Sequence, residues 1–503
     1  MSPLNYLGVA LVLLLIIGVG VISGRRVNST SDFATGGGCS GPWMICGTIM
    51  GALVSSQATI GTAQLAFQYG ATAWWFTLGS GIGCLILALV YVKPLRHSGC
   101  ITLMEVIDRE YGHGVKYVGS VLSSIGIFIS VLAQLVACSG LITVIFPVSI
   151  PVAAGISAAL MAVYVVFGGA WGAGMGGVVK LLLLYVACIA GLSVVLVVSS
   201  GYSGLYADLK TALAGTPIGR EIGIDSIADL SGRFLSLTAR GTAKDIGSGV
   251  SLLLGVLSTQ TYAQAVWSGK SDKAAKRGSL LASVLIPPIG VAGICVGLFM
   301  RCHYVTQSEV DALQAVGQSI PPGVGVLAST IQVFPTFVVN HLPVLFSGIV
   351  LGTLLITIVG GGAGLSLGVA TILVNDIFKK VFKRLEIEKS VLTATRTSIL
   401  AVLTLSAVIA CLVPSTTIND LGFLSMGLRG AVVFVPLTCA LFFPGKAARR
   451  FALLSTICGP VCVLAGKLPG VTIDPLFLGM GASAILMCLG LVVEKFHRSK
   501  TVL

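Results

Sequence analysis

Apolar segments long enough to cross a membrane recur along the whole chain, and they limit the folds that it can adopt. A transmembrane α-helix needs about 20 mainly apolar residues, and 55% of the 503 residues are hydrophobic while only 10% are charged. The thirteen predicted spans are Tyr6–Ser23, Trp43–Phe67, Trp74–Val92, Tyr117–Ile145, Ile150–Phe167, Gly172–Ser199, Ile246–Val266, Ser279–Phe299, Leu345–Asn375, Leu392–Val413, Ile418–Phe443, Phe451–Gly466 and Pro475–Val493. We therefore expect an all-α polytopic membrane protein with a single transmembrane domain over residues 1–503.

The distribution of lysine and arginine predicts the orientation of these spans. With the N-terminus outside, 22 of the 31 lysines and arginines fall in inside loops, as the positive-inside rule requires. An odd number of spans then places the C-terminus in the cytoplasm. The net charge of +13 is thereby explained by topology, so we expect a multi-pass protein of the cell membrane and no nucleic-acid partner. An inside N-terminus would reverse the charge bias.

Residues that usually perform catalysis or bind metals are not grouped in this sequence. Nearly all of the 13 cysteines lie within apolar spans, where packing explains them, and the five histidines lie outside the spans. No nucleophile, base and acid converge in one region. We expect no enzymatic activity, no catalytic residues and no bound cofactor or metal cluster.

Two of the predicted spans contain matching polar triplets near their centres. A helix interrupted at membrane depth is tolerated where it lines protein or a cavity, and paired interruptions in two halves often mark a transport site. The triplets are Ser55, Ser56 and Gln57 in the second span and Ser258, Thr259 and Gln260 in the seventh. The pattern predicts two broken helices and two inverted repeats, 43–199 and 246–443, with 1–42 and 444–503 forming peripheral helices. Alternatively, these polar side chains only hold helices together.

Several longer runs resemble the sodium:solute symporter family, in order and at the expected spacing. They are IGTAQLAFQYG (Ile60–Gly70), TLMEVIDREYG (Thr102–Gly112), YVVFGGAWGA (Tyr164–Ala173), STQTYAQAVWSGKSDKAAKRG (Ser258–Gly278) and VNDIFKK (Val374–Lys380). The resemblance implies a LeuT-type fold with a 5+5 inverted repeat. It also implies a secondary transporter that works by alternating access, with its substrate site between the two broken helices.

This chain departs from the resemblance at the common sodium site of the family. There, a sodium ion is bound by backbone carbonyls and by two adjacent hydroxyls. Carried onto this sequence, the carbonyls belong to Gly51, Val54 and Thr357, and the hydroxyl positions are Gly360 and Gly361. Since glycine has no hydroxyl and such cations require oxygen ligands, sodium should bind weakly here. Na+ coupling therefore becomes uncertain.

A lysine replaces a neutral residue of the family close to this site. The resemblance implies a glutamine where Lys180 stands, and the spacing from Gly172 places Lys180 about 12 Å above the cytoplasmic end of its helix. We hypothesise that its ammonium replaces sodium and donates to the carbonyls of Gly51, Val54 and Thr357, while Gly360 and Gly361 leave room for its stem. No acid lies nearby in the apolar core, so the lysine should be titratable, which would suit H+ coupling or ion-independent transport. The alternative is a lysine that snorkels to the surface.

Arg429 is the second ionisable residue deep within an apolar span. It is predicted to clamp a substrate carboxylate with its planar fork or to act as a gate. Alternatively, carbonyls of a neighbouring helix satisfy its donors, close to the kink expected around Pro436.

Together these residues predict a secondary active transporter of a small organic solute, such as a carboxylate or an amino acid. One alternative is a sodium-coupled symporter with a relocated site that uses Ser55, Thr59 or Ser366. Another is a transporter-like solute sensor with a separate signalling partner. The predicted substrate-binding residues are Ser55, Ser56, Gln57, Thr259, Gln260 and Arg429.

Overall fold

The computed structural model describes residues 2–24, 38–379, 388–412, 417–466, 468 and 474–501, and this part of the chain is mostly α-helical. The helices of the first half are α1 (Pro3–Gly24), α2 (Pro42–Leu53), α3 (Thr62–Tyr69), α4 (Trp75–Ile86), α5 (Val92–His97), α6 (Leu103–Tyr111), α7 (His113–Ile145), α8 (Ile150–Val198), α9 (Tyr202–Leu213), α10 (Pro217–Glu221) and α11 (Ile227–Phe234). Those of the second half are α12 (Thr242–Leu257), α13 (Gln260–Trp267), α14 (Asp272–His303), α15 (Gln307–Ala315), α16 (Val333–His341), α17 (Val344–Ile372), α18 (Glu388–Leu412), α19 (Ile418–Arg429), α20 (Val435–Phe442), α21 (Arg449–Ala465) and α22 (Pro475–Thr501).

Eight helical stretches among the described residues are long and apolar enough to cross a membrane, and three shorter apolar helices accompany them. The chain is thus a multi-pass membrane protein, while thirteen spans remain a prediction. One predicted boundary is wrong, because the fifth and sixth predicted spans lie in the single helix α8. The four residues between them, Gly168 to Trp171, include no proline or charged residue that would end a helix.

Two extended segments between the long helices form the only β-strands in the described part of the chain, besides a single β-bridge between Ser40 and Gly269. Strands β1 (Tyr304–Thr306) and β2 (Gly325–Leu327) pair in parallel, with Tyr304 opposite Gly325. This small sheet departs from the all-α prediction. The rest of this region and the region before α12 consist of short helices, α9 to α11 and α15 to α16.

Several helices contain wide turns, in which the backbone bonds are those of a π-helix. One of these turns contains Gln57, a predicted substrate residue, and another contains part of the VNDIFKK run. Gln57–Gly61 follows the end of α2, and Leu373–Phe378 continues α17. Because such turns change the direction of side chains and are common at functional sites, both turns are candidate functional positions.

Helix α17 runs through the centre of the bundle, and all its residues from Val350 to Ile372 are buried. Close approach of its neighbours depends on small residues. At Gly177 on α8, for example, a methyl group would collide with the carbonyl oxygen of Gly47 on α2. The backbones of α2 and α8 therefore lie close enough for a side chain of one to reach a carbonyl of the other.

Several of the basic loops meet at one end of the molecule, here called the basic end. Arg96 pairs with Asp272 at 2.7 Å, and Trp267 Nε1 donates to the Leu95 carbonyl at 2.8 Å. The backbone N–H of Gly445 donates to the Glu110 carboxylate at the same end. Arg25, Arg26 and the basic run within 380–387, which the orientation prediction also uses, lie outside the described residues. The membrane face to which this end belongs remains a prediction.

Candidate functional site

The first predicted interruption is present between α2 and the wide turn Gln57–Gly61. The intervening residues are fully buried, so their polar groups need partners inside the protein. Gln134 on α7 supplies two, because its Nε2 donates to Ser55 Oγ at 2.7 Å and its Oε1 accepts from Ser56 N at 3.1 Å. Sequence reasoning missed Gln134, although a lone amide in the middle of an apolar span was a signal for it.

The second interruption separates α12 from α13 at Ser258 and Thr259, as predicted. Arg429 on α19 is fully buried and donates from Nη1 to Thr259 Oγ1 at 2.8 Å. Its Nη2 donates to the hydroxyls of Ser130 on α7 and Ser425 on α19, both at 2.8 Å, and its Nε donates to the Ser425 carbonyl at 3.1 Å. The guanidinium therefore joins the second interruption to two other helices.

These contacts bear on the two interpretations of Arg429. Its acceptors are hydroxyls and a carbonyl, and no carboxylate is bonded to it among the described residues. A wide turn, Gly430–Phe434, follows directly and leads to Pro436. In this conformation the arginine has the geometry of a structural connector. A carboxylate clamp would require the guanidinium to exchange these partners for the substrate.

The remaining predicted substrate residues are not all directed to one space. Gln260 Oε1 accepts from Leu103 N at 2.9 Å, and its Nε2 donates to the Ile101 carbonyl at 2.8 Å, so this amide is engaged with the basic end. Ser55 is engaged by Gln134. By contrast, Ser56 Oγ and Gln57 Nε2 are buried and have no hydrogen-bond partner among the described residues.

Asn419 on α19 joins this unsatisfied group. Both of its amide atoms are buried without a hydrogen-bond partner in the described part of the chain. Gln57 and Asn419 lie where the wide turn packs against α19: a methyl group at Gly422 would lie 2.9 Å from Gln57 Nε2, and one at Gly61 would collide with Asn419 Oδ1. Since an unsatisfied buried amide is costly, a cluster of them is typical of a site that a polar ligand completes.

Aromatic rings border this polar cluster. The rings of Phe76 and Phe423 lie 5.9 Å apart, and Phe76 is also adjacent to Gly422. Arg240 lies over the Phe423 ring at 5.4 Å and pairs with Asp245 at 2.7 Å. The cluster is therefore bordered by two apolar rings, and one of them, Phe423, contacts the guanidinium of an ion pair.

Lys180 lies where the resemblance predicted the sodium site. Its Nζ donates to the carbonyl of Gly51 at 2.5 Å and to that of Thr357 at 3.0 Å, and only 3% of the residue is exposed. Gly51 belongs to α2 and Thr357 to α17, so the ammonium joins the first broken helix to the centre of the bundle. The side chain points inward and does not snorkel in this conformation.

The other predicted ion-site residues take different positions around the lysine. The carbonyl of Val54 is not among the acceptors of Lys180 Nζ in the described structure. A methyl group at Gly360 would lie 3.9 Å from Lys180 Nζ, whereas one at Gly361 would lie 2.5 Å from Ser55 Cβ. Gly360 thus borders the lysine, while Gly361 gives room to the first interruption. A cavity of 20 Å³ adjoins Lys180 and is lined in part by Tyr164 and Thr261.

The model of the sodium:solute symporter family matches residues 33–459. The uncharacterized symporter YwcA of Bacillus subtilis (strain 168) is 23% identical over 478 residues, which cover 92% of this chain and 86% of the relative.

Two solved structures share the fold. A substrate-bound, outward-open Na+-coupled sialic acid symporter matches with a TM-score of 0.75 at 16% identity, covering 98% of both chains. MHP1, a nucleobase-cation-symport-1 family transporter in a closed conformation with bromovinylhydantoin bound, matches with a TM-score of 0.54 at 12% identity, covering 94% of this chain and 95% of its own. At these identities the likeness is one of fold alone.

The contacts of Arg429 predict a loss of stability when its planar fork is removed. Arg429→Lys keeps the charge but cannot reach Thr259, Ser130 and Ser425 together. We expect the free energy of unfolding to fall by about 1 to 3 kcal/mol, because buried hydroxyls lose their donor. The measurement is thermal unfolding of the purified protein in detergent without solute.

Thr259→Val provides the comparison. Its effect should be large in the parent and small in the Arg429→Lys background, since the two residues share one contact. An unfolding temperature that is unchanged in Arg429→Lys, or strictly additive effects, would contradict the connector interpretation.

Proposed function

This chain belongs to the sodium:solute symporter family, and we propose that it moves a small, uncharged polar solute by alternating access around its two interrupted helices. It is a membrane transporter and not an enzyme. The observation that carries the proposal is the group of buried, unsatisfied polar atoms on Ser56, Gln57 and Asn419. The repeats 43–199 and 246–443 and the outside N-terminus belong to the same proposal. The matched interruptions and the clustered basic loops support them.

The character of the solute follows from the groups available to it. Gln57 Nε2 offers donors, Asn419 offers both a donor and an acceptor, and Ser56 offers a hydroxyl. Arg429 and Lys180 already have acceptors within the protein. A neutral solute with several donors and acceptors, bordered by Phe76 and Phe423, therefore fits better than the carboxylate or amino acid considered from sequence.

The proposed coupling rests on Lys180. Its ammonium occupies the space between Gly51 and Thr357 that a sodium ion would bridge, with hydrogen bonds of 2.5 and 3.0 Å. A protonated lysine supplies the positive charge that these carbonyls favour, and loss of the proton would release them. Transport is then proton-coupled or ion-independent.

A relocated sodium site has less support. Ser55 Oγ accepts from Gln134, Thr59 Oγ1 donates to the Ser55 carbonyl at 2.9 Å, and Ser366 Oγ donates to the Ala363 carbonyl at 2.8 Å. Each hydroxyl thus has a local partner. The three do not converge on a shared acceptor or donor in the contacts of the described residues.

Replacement of sodium tests the coupling directly. In proteoliposomes containing the transported solute, uptake should be unchanged when external sodium is exchanged for a bulky organic cation, because the family hydroxyls are absent at Gly360 and Gly361. Sodium and pH gradients are imposed separately, and initial rates are compared. If the uptake rate depends strictly on sodium and saturates at millimolar sodium concentrations, the protein is an ordinary sodium symporter and the proposed coupling is wrong.

Lys180 variants test the proposed replacement of the ion. Lys180→Ala should abolish transport because the carbonyls of Gly51 and Thr357 lose their cation. Addition of Gly360→Ser would restore one hydroxyl in the vacated space, and part of the activity should return in a sodium-dependent form. The second family hydroxyl cannot be restored in the same way, because the side chain introduced by Gly361→Thr would collide with Ser55.

Lys180→Met is the matched control, since it retains most of the stem without the charge. It should be as inactive as Lys180→Ala and should keep the same fold in circular dichroism. Normal pH-dependent transport in Lys180→Ala would end the ion-replacement hypothesis.

Asn419 variants test the proposed solute site through two effects of opposite sign. Asn419→Leu is similar in size and removes an unsatisfied buried amide, so the solute-free protein should unfold at a higher temperature. Binding of the transported solute should weaken by about 1 to 3 kcal/mol in the same variant. Isothermal titration and thermal unfolding measure the two quantities.

Asn340→Leu serves as the control, because Asn340 Nδ2 on α16 donates to the hydroxyl of Tyr304 on β1 at 2.9 Å. It should leave solute affinity unchanged. A parental affinity in Asn419→Leu would place the solute elsewhere in the bundle.

A further inference from the structure

A buried carboxylate at the basic end is not used by the proposed solute or ion site. Asp376 lies in the wide turn Leu373–Phe378 and is 3% exposed. Its Oδ1 accepts from Thr102 Oγ1 at 3.0 Å, and its Oδ2 accepts from Ser120 Oγ at 3.2 Å. Lys116 Nζ lies 3.4 Å from Oδ1. A buried acid with this number of partners fixes the elements that carry them.

Three elements meet at this carboxylate. Asp376 continues α17, Lys116 and Ser120 belong to the start of α7, and Thr102 is the N-cap of α6, where its Oγ1 accepts from Glu105 N at 3.0 Å. Lys116 Nζ also lies 3.6 Å from the carboxylate of Asp108, which belongs to the C-terminal part of α6. The lysine is thereby shared between two acids, one on each side.

The second interrupted helix holds the same segment from the opposite side. Gln260, the first residue of α13, bonds to the backbone on both sides of Thr102, at Ile101 O and Leu103 N. The Thr102 side chain meanwhile donates to Asp376. Residues 101–103 thus connect α13 to the end of α17. A shift of α13 must therefore displace the Thr102 hydroxyl, which donates a hydrogen bond to Asp376.

We infer that Asp376, Thr102, Lys116 and Gln260 form a latch that keeps the basic end of the transport path closed and that opens when α13 moves. The inference rests on alternating access, since a path that opens at one end in turn must close at the other. Helices α13 and α17 come from the second predicted repeat and α7 from the first. Opening between them must therefore separate Asp376 from Lys116, or the backbone of Ile101 and Leu103 from Gln260. In this interpretation Gln260 is a positioning residue that transmits movement of the broken helix and does not bind the solute.

Hydrogen exchange of the full chain tests the latch without knowledge of the solute. Asp376→Asn preserves size and hydrogen-bonding capacity but leaves Lys116 with Asp108 as its only acidic partner among the described residues. We expect backbone amides of residues 99–104 to exchange about ten-fold faster, as a local opening event predicts. Peptides from α15 and from residues 226–245, which do not touch the latch, should exchange at the parental rate. Gln260→Ala should produce the same local pattern.

Two further variants separate a latch from general destabilisation. Asp376→Asn combined with Lys116→Met removes the buried cation that has lost one of its two acidic partners, and it should restore part of the protection at 99–104. Asp272→Asn breaks the Arg96 pair at the same end but outside the latch, and it should leave 99–104 unchanged.

Uniformly faster exchange in Asp376→Asn, or unchanged exchange at 99–104, would overturn the inference. Because the readout is structural, it is independent of the ion and solute experiments. If hydrogen exchange supports the latch while Lys180→Ala transports normally, only the proposed coupling is contradicted.

Discussion

The two interruptions depend on one helix. Gln134 and Ser130 are one turn apart on α7, and they reach the first and the second interruption respectively, Gln134 directly and Ser130 through Arg429. A chain that leaves the helix at membrane depth cannot obtain partners from lipid, so its polar groups must be satisfied by protein. Without these contacts on α7, both breaks would expose unpaired groups in an apolar interior, and the sites around them could not form.

Charge is placed in this interior only where acceptors surround it. Lys180 meets two backbone carbonyls, and Arg429 meets hydroxyls and a carbonyl. Both cations link elements that must move against each other if access alternates. Their neutral acceptors hold them less firmly than carboxylates would, which suits contacts that form and break during a transport cycle.

Two neighbouring residues of the second interruption contact different parts of the protein. Thr259 is held near the middle of the bundle by Arg429, while the adjacent Gln260 reaches the loop before α6. At the first interruption, Ser55 is similarly held by α7, while Gln57, two residues later, lies against Gly422 on α19. In each case neighbouring residues point in different directions because the chain is extended or widely turned there. A rearrangement of the first interruption would therefore reach the proposed solute cluster, and one of the second would reach the proposed latch.

The sequence by itself determined the membrane class, the positions of both interruptions and the two carbonyls that Lys180 contacts, although it also predicted a third, that of Val54. Apolar length, local polarity and motif spacing are properties of contiguous residues. The sequence did not distinguish one helix from two in α8, and it grouped Gln260 with the solute residues although that amide faces the basic end. Gln134, Asn419 and Asp376 were missed as well. Their partners lie far away along the chain, and only helix packing decides which buried polar atoms meet and which, like those of Gln57 and Asn419, have no hydrogen-bond partner among the described residues.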